Sequence, residues 1–111
     1  MNNGQKSLNQ WRDEIDILDG ELLRLLNERA RIASELGALK VSSGLPVYDG
    51  RRERQVLARL CESNQGPLER ESVHAIFRCI IRESRRLELS RQSSISKSQY
   101  EESGQEYSHG H

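Results

Sequence analysis

Two cationic residues interrupt the apolar stripe of the first predicted helix. Arg29 falls in register between leucines on one side and Ile32 and Leu36 on the other. Lys40 shares that face, since it follows by about three turns, which places the two backbones roughly 16 Å apart. An unpaired buried guanidinium is costly, so an anion is expected beside Arg29. The pattern favours an anionic ligand, unless both side chains reach solvent or pair with a glutamate of another helix.

The third predicted helix shows a similar interruption. One row of its residues passes from apolar to polar along the same face: Phe77, Ile81, Ser84 and Glu88. A carboxyl group in that row requires a cation or a proton. Glu88 is therefore a second candidate for the site.

The second predicted helix opens with charged residues. Asp49 is a suitable N-cap, and Arg52 and Glu53 follow it in the first turn. The free N–H groups and the dipole of a helix N-terminus favour anions. The alternative is that Asp49 is only a cap and that Arg51 and Arg54 are solvated charges.

The spacing of apolar residues predicts an all-α chain of three helices. The first runs from Leu8 to about Val41, with apolar residues at the i, i+3, i+4, i+7 positions of an amphipathic helix. A second helix follows Asp49 to about Ser63, and a third runs from about Leu68 to near Ser90. We expect one folded domain over residues 8–90.

The ends of the chain are predicted to lie outside that domain. Residues 91–111 are rich in serine, glutamine and charge, with little to bury, so we expect a disordered tail. Residues 1–7 are expected to be flexible. The tail histidines His109 and His111 could chelate a metal weakly, but a disordered terminus is the simpler account.

Helix lengths predict a dimer. The first helix would be roughly 50 Å long, whereas the second and third would span only about 22 Å and 33 Å. Leucines and isoleucines of the first helix would then face water, each forgoing roughly 1.5–3 kcal/mol of burial. We expect an intertwined homodimer whose long helices pair across a two-fold axis.

Composition narrows the classes of function. The 17 Lys and Arg residues balance the 17 Asp and Glu residues, so the basic excess of most nucleic-acid or membrane-surface proteins is missing. No apolar run approaches the roughly 20 residues that span a bilayer. The N-terminus does not resemble a secretory signal, and Cys61 and Cys79 fit two reduced thiols. We expect a cytoplasmic protein that binds neither membranes nor nucleic acid.

An ordered set of segments resembles the all-helical class of chorismate mutases over about residues 8–90. The segments are LeuAspGlyGluLeuLeuArgLeuLeuAsnGluArg (18–29), GlyAlaLeuLys (37–40), the run from Pro46 to Glu53, and IlePheArgCysIleIleArgGluSer (76–84). The resemblance implies a helical homodimer that converts chorismate to prephenate, in phenylalanine and tyrosine biosynthesis, without metal or organic cofactor.

The resemblance also implies roles for the inward-facing charges. Arg29 would grip one carboxylate of the substrate, and Arg12 would reach the other from the partner subunit. Lys40 would hydrogen-bond the ether oxygen, where Glu88 takes the place of a second donor. Some family members carry glutamine there; a glutamate donates a hydrogen bond only when protonated. Activity should then decline as pH rises.

The remaining roles concern the other end of the substrate. Asp49 and Glu53 match residues that bind the substrate hydroxyl and its surroundings. Arg52 matches a supporting arginine, and Ser84 matches a carboxylate contact. Two arginines suit a dianion because guanidinium binds carboxylates in bidentate fashion.

Three other functions stay open at this point. An isochorismate–pyruvate lyase shares the fold and related chemistry. A non-catalytic helical module could dimerise or regulate a partner enzyme. Nucleic-acid binding is the third, suggested by a row of arginines on the third helix: Arg78, Arg82, Arg85 and Arg86. The simpler account is that these arginines form a solvated face whose charge is balanced by glutamates of the same helix.

Overall fold

A computed structural model of the chain describes residues 4–103, and describes side chains up to residue 95. It contains three helices: α1 (Leu8–Ser42), α2 (Gly50–Ser63) and α3 (Arg70–Ser103). No strand occurs in this part of the chain. The predicted all-α fold with a long N-terminal helix is confirmed.

Local side-chain chemistry explains where two of the helices begin. Ser7 caps α1, with its side chain accepting from the Gln10 N–H while the Gln10 side chain accepts from the Ser7 N–H. Asp49 caps α2, where its Oδ1 accepts from the Arg52 N–H at 3.0 Å. Beyond the end of α1, Gly44 adopts φ 69°, a conformation that favours glycine.

The third helix is longer than predicted. It continues to Ser103, so the predicted end near Ser90 is wrong. The disordered tail expected over residues 91–111 stays a prediction. Each residue added to an existing helix completes one more backbone hydrogen bond, so the scarcity of apolar residues after Ser90 did not mark the end of α3. Residues 104–111, with His109 and His111, lie outside the described part.

The flexibility expected of residues 1–7 stays a prediction, and two of these residues contact α1. The Lys6 ammonium lies 4.6 Å from the centre of the Trp11 ring and 2.5 Å from Glu14 Oε2. Ser7 is the N-cap. Residues 1–3 lie outside the described part, and the domain limits 8–90 stay a prediction.

α1 and α3 run side by side in the same direction with a large offset. Arg29 contacts Ser84, and Gly37, which lies further along α1, contacts Glu88, which lies further along α3. α2 packs on α3 and does not extend along α1. The molecule is therefore elongated, with principal dimensions of 77 × 31 × 19 Å.

This offset leaves the N-terminal half of α1 uncovered. Trp11, Ile15, Leu18 and Leu22 are each more than half exposed. The predicted length of about 33 Å for the third helix was wrong, because α3 has 34 residues. The exposed apolar stripe on α1 that this length predicted is nevertheless present. The homodimer stays a prediction with an exposed apolar face to support it.

Gly37 allows a close approach between α1 and α3. A Cβ placed on Gly37 would lie 2.7 Å from Glu88 Cα and 2.9 Å from the Glu88 carbonyl oxygen. Backbone atoms cannot move aside as the end of a flexible side chain can, so any larger residue would force the helices apart. Sequence reasoning did not single out this glycine.

Substituting Gly37 by alanine should destabilise the protein. The clash with the Glu88 backbone should lower the free energy of unfolding by about 1–3 kcal/mol, despite the better helix propensity of alanine. Urea denaturation followed by circular dichroism measures the change.

Gly20→Ala is the matched control, because nothing lies within 4 Å of the position of its Cβ. That variant should be stabilised by about 0.5–1 kcal/mol. Equal behaviour of the two variants would contradict the close approach at Gly37.

Candidate active site

A cavity of about 260 Å³ lies where the three helices meet. This volume is near the lower end of small-molecule sites, about 300–1,000 Å³. Its apolar wall comes from all three helices and the loop before α2: Ile32, Ala33, Leu36, Val47, Val56, Ile81. Its polar groups are Arg29, Lys40, Asp49, Arg52, Glu53, Ser84 and Glu88. The apolar surface between these charged groups strengthens the electrostatic interactions inside the cavity.

Lys40 and Glu88 form an ion pair in the wall of the cavity. Lys40 Nζ lies 2.8 Å from Glu88 Oε1, with side-chain exposures of 16% and 10%. Lys40 also donates to the Val47 carbonyl oxygen at 2.9 Å. Glu88 Oε1 accepts no well-formed hydrogen bond from the described residues, so this contact is electrostatic. An ammonium has three N–H donors, so Lys40 keeps at least one donor for a further bond even if the Glu88 contact is counted as using one.

Arg29 is half-buried and has no carboxylate partner among the side chains of residues 4–95. Its Nη1 donates to the Ser84 hydroxyl, which in turn donates to the Ile80 carbonyl oxygen at 3.0 Å. The serine therefore orients the guanidinium without neutralising it. A guanidinium held in this way can bind a carboxylate in bidentate fashion.

Glu53 is held by an arginine that the sequence analysis had placed on a solvated face. Arg85 donates to Glu53 through Nε at 3.0 Å and through Nη2 at 2.6 Å. These hydrogen bonds raise the pKa of Arg85 above its ordinary value, which keeps the guanidinium charged. The Tyr48 ring covers the other side of Arg85, 4.8 Å from its guanidinium carbon.

The structure brings every predicted site residue except Arg12 into one cavity. Arg12 is exposed and stands about 25 Å along α1 from Arg29, too far to reach the cavity of its own chain. Asp49 is both cap and cavity wall, because one carboxylate oxygen binds the Arg52 N–H and the other makes no bond within residues 4–95.

Sequence reasoning missed three features of the site. Gly37 sets the helix spacing at Glu88, the Val47 carbonyl orients Lys40, and Arg85 holds Glu53. A glycine inside the apolar stripe of α1 was a usable signal for the first. The other two depend on contacts between distant elements and had no signal in the pattern.

The cavity carries an imbalance between its paired and unpaired charges. Glu88 is neutralised by Lys40 and Glu53 by Arg85. Arg29 and Arg52 have no ion pair with any described side chain. The arrangement thus offers positive charge to an anion, while two of its three carboxylates are paired and the third, the exposed Asp49, caps α2.

Two other kinds of site receive no support from the described residues. Among the side chains of residues 4–95, no cluster of three or more His, Cys, Asp or Glu is arranged to hold a metal ion. Nor does that stretch contain a helix long and apolar enough to cross a membrane.

Comparison with known proteins agrees with this geometry. The model of the family described as chorismate mutase type II matches residues 11–89. The chain belongs to this family.

Solved and curated members of the chorismate mutase type II family resemble the chain over the same region. A chorismate mutase structure (form II) from Thermus thermophilus is 40% identical with a TM-score of 0.73, covering 75% of this chain and 94% of that one. A bifunctional chorismate mutase/prephenate dehydratase of Neisseria gonorrhoeae is 47% identical over 72 residues, which is 65% of this chain and 19% of the relative.

A second bifunctional chorismate mutase/prephenate dehydratase, from Aquifex aeolicus, is 38% identical over 80 residues. These residues are 68% of this chain and 22% of the relative. The chain thus spans about a fifth of the length of the curated relatives that it matches.

Proposed function

We propose that the protein is a chorismate mutase, which rearranges chorismate to prephenate in the cytoplasm as a step of aromatic amino acid biosynthesis. The family supports this reaction, and so do the names of its relatives. The chain's own cavity supports it independently, because a dicarboxylate fits a small apolar space in which guanidinium groups lack acidic partners.

The observation that carries the proposal is the environment of Arg29. This guanidinium is half-buried and is oriented by Ser84, but it is not neutralised by any described carboxylate. A cation in such a position costs free energy unless an anion joins it. A substrate carboxylate supplies that anion.

The proposed reaction is an intramolecular rearrangement that breaks a C–O bond and forms a C–C bond. The residues need neither attack the substrate nor exchange electrons with it. They hold the compact conformer and stabilise the charge that grows on the ether oxygen. Lys40 is suited to the second task, because it is fixed by Val47 and Glu88 and keeps one free donor. Asp49 and Glu53 would bind the hydroxyl end.

We also propose that the active form is a homodimer in which Arg12 completes the neighbouring site. Arg12 lies on the part of α1 that no other helix of the chain covers. Pairing two copies through this face would bury the exposed stripe of Trp11, Ile15 and Leu18. It would also bring Arg12 of one copy towards Arg29 of the other, where a second carboxylate needs a partner.

Removing Arg29 should abolish most of the activity. Arg29→Ala should lower kcat/KM by roughly 100-fold or more, since charge-assisted hydrogen bonds contribute about 1.5–3 kcal/mol each. Loss of chorismate absorbance measures the rate, and Arg31→Ala on an exposed position of α1 is the control.

The same assay distinguishes the alternative functions. Release of pyruvate from isochorismate, with no loss of chorismate, would identify a lyase. Inactivity of the wild type would favour a regulatory module.

Mixing two inactive variants should restore activity if Arg12 acts across the dimer. Arg12→Ala retains a usable Arg29, and Arg29→Ala retains a usable Arg12. Random exchange of subunits should therefore produce about a quarter of wild-type activity, from the one intact site of each mixed dimer. Activity that stays at the level of the separate variants would refute the shared site.

Substitutions at Glu88 test its contact with the ether oxygen. Glu88 lies in the wall of the cavity, 2.8 Å from Lys40 Nζ. The ether oxygen has only lone pairs, so a side chain at this position helps only if it donates a hydrogen bond, and an amide N–H does so. Glu88→Gln should therefore retain or exceed the wild-type kcat/KM, measured by loss of chorismate absorbance, whereas Glu88→Leu, which has no donor, should lower it. Equal rates in the two variants would exclude this position from the mechanism.

A further inference from the structure

A second concave surface lies beside the proposed active site. This cleft, of about 490 Å³, is formed by the start of α2 and the middle of α3. Glu53 and Ile81 line both it and the active-site cavity, so the two spaces are separated by single side chains. The mechanism proposed above uses none of the other groups in the cleft.

The cleft is strongly positive. Arg78, Arg82 and Arg85 follow one another at i, i+4 and i+7 on α3, and Arg54 faces them from α2. Glu53 is the one acidic side chain among the lining residues, and Arg85 already holds both of its oxygens. Arg54 and Arg78 make no ion pair with any side chain of residues 4–95.

Glu83, which lies outside the cleft, does little to offset this positive charge. Glu83 lies 3.9 Å from Arg82 Nε and is shared with Arg86 at 3.4 Å, with all three side chains more than half exposed. Exposed pairs of this kind contribute at most about 1 kcal/mol. Four guanidiniums around one concave space repel one another unless an anion lies between them.

We propose that this cleft binds a small multivalent anion, of the phosphate or dicarboxylate class, next to the active site. Guanidiniums from two helices can bind several oxygens of one such ion at once. The concave shape favours a small molecule over a nucleic-acid duplex. Arg86, which a flat basic surface would include, pairs with Glu83 and does not line the cleft.

An anion bound in the cleft should change the affinity of the active site for chorismate. This consequence rests on the proposed mutase function. An anion that binds Arg85 competes with Glu53 for the same N–H groups. Glu53 would then be less firmly held in the wall of the cavity. Coupling of this kind is reciprocal, so chorismate would alter the affinity for the anion equally.

Cys79 provides a direct readout of the cleft. It lines the cleft, is exposed, and receives a hydrogen bond from Arg82 Nη2 at 3.4 Å, whereas Cys61 is buried. The experiment compares its alkylation by anionic iodoacetate and neutral iodoacetamide, with the labelled residue identified by mass spectrometry. The full chain is used, and chorismate is not needed, so the outcome is independent of the mutase assignment.

A positive cleft should make Cys79 prefer iodoacetate, relative to the preference of a free thiol. Inorganic phosphate or pyrophosphate, at constant ionic strength, should suppress that preference. Arg54→Gln and Arg78→Gln should each reduce it by roughly two- to threefold, the effect of one charge at a distance of about 5–8 Å in water. Arg86→Gln, the same change on the same helix outside the cleft, should leave it intact.

Several results would overturn the proposal. One is an equal effect of Arg86→Gln and Arg78→Gln, which would indicate a diffuse basic surface. Another is protection of Cys79 by duplex DNA but not by phosphate. A chorismate KM that phosphate shifts in the wild type but not in Arg78→Gln would support coupling through Arg85, and the same KM in both conditions would refute it.

Discussion

The close packing of α1 against α3 at Gly37 is the constraint on which the site depends. With no side chain at Gly37, the α3 backbone at Glu88 approaches within a distance that a Cβ would forbid. This approach places Glu88 beside Lys40, one turn further along α1. It also sets the depth of the cavity, because the same two helices supply most of its wall. The ion pair in the site is therefore positioned by the close packing of the α1 and α3 backbones.

Charge in the cavity is arranged by an asymmetry between carboxylates and guanidiniums. The two buried or half-buried carboxylates, Glu88 and Glu53, have cations against them, while Arg29 is oriented by a hydroxyl group. Pairing every group would give a stable but inert core, since a fully compensated network has nothing to offer a ligand. The uncompensated guanidinium is a local destabilisation that a dianionic substrate would offset.

The offset between α1 and α3 links the site to assembly. Because the two helices overlap only along part of their lengths, the cavity forms where they overlap, and the apolar half of α1 projects beyond it. A partner on that half would cover Leu18 and Leu22 and add Arg12 near Arg29. In this chain, the exposed apolar surface and the half-buried Arg29 are parts of one helix.

The sequence by itself determined the helices and the inward-facing charges, because both are periodic local properties. The 3.6-residue repeat revealed Arg29 and Lys40 within an apolar stripe, and Asp49 as a cap needs only its own first turn. Tertiary structure alone decided the role of Gly37 and the partner of Glu53. These depend on which distant residues meet: whether Arg85 is solvated or bound to Glu53 follows from the packing of α2 on α3, which no spacing along one helix encodes.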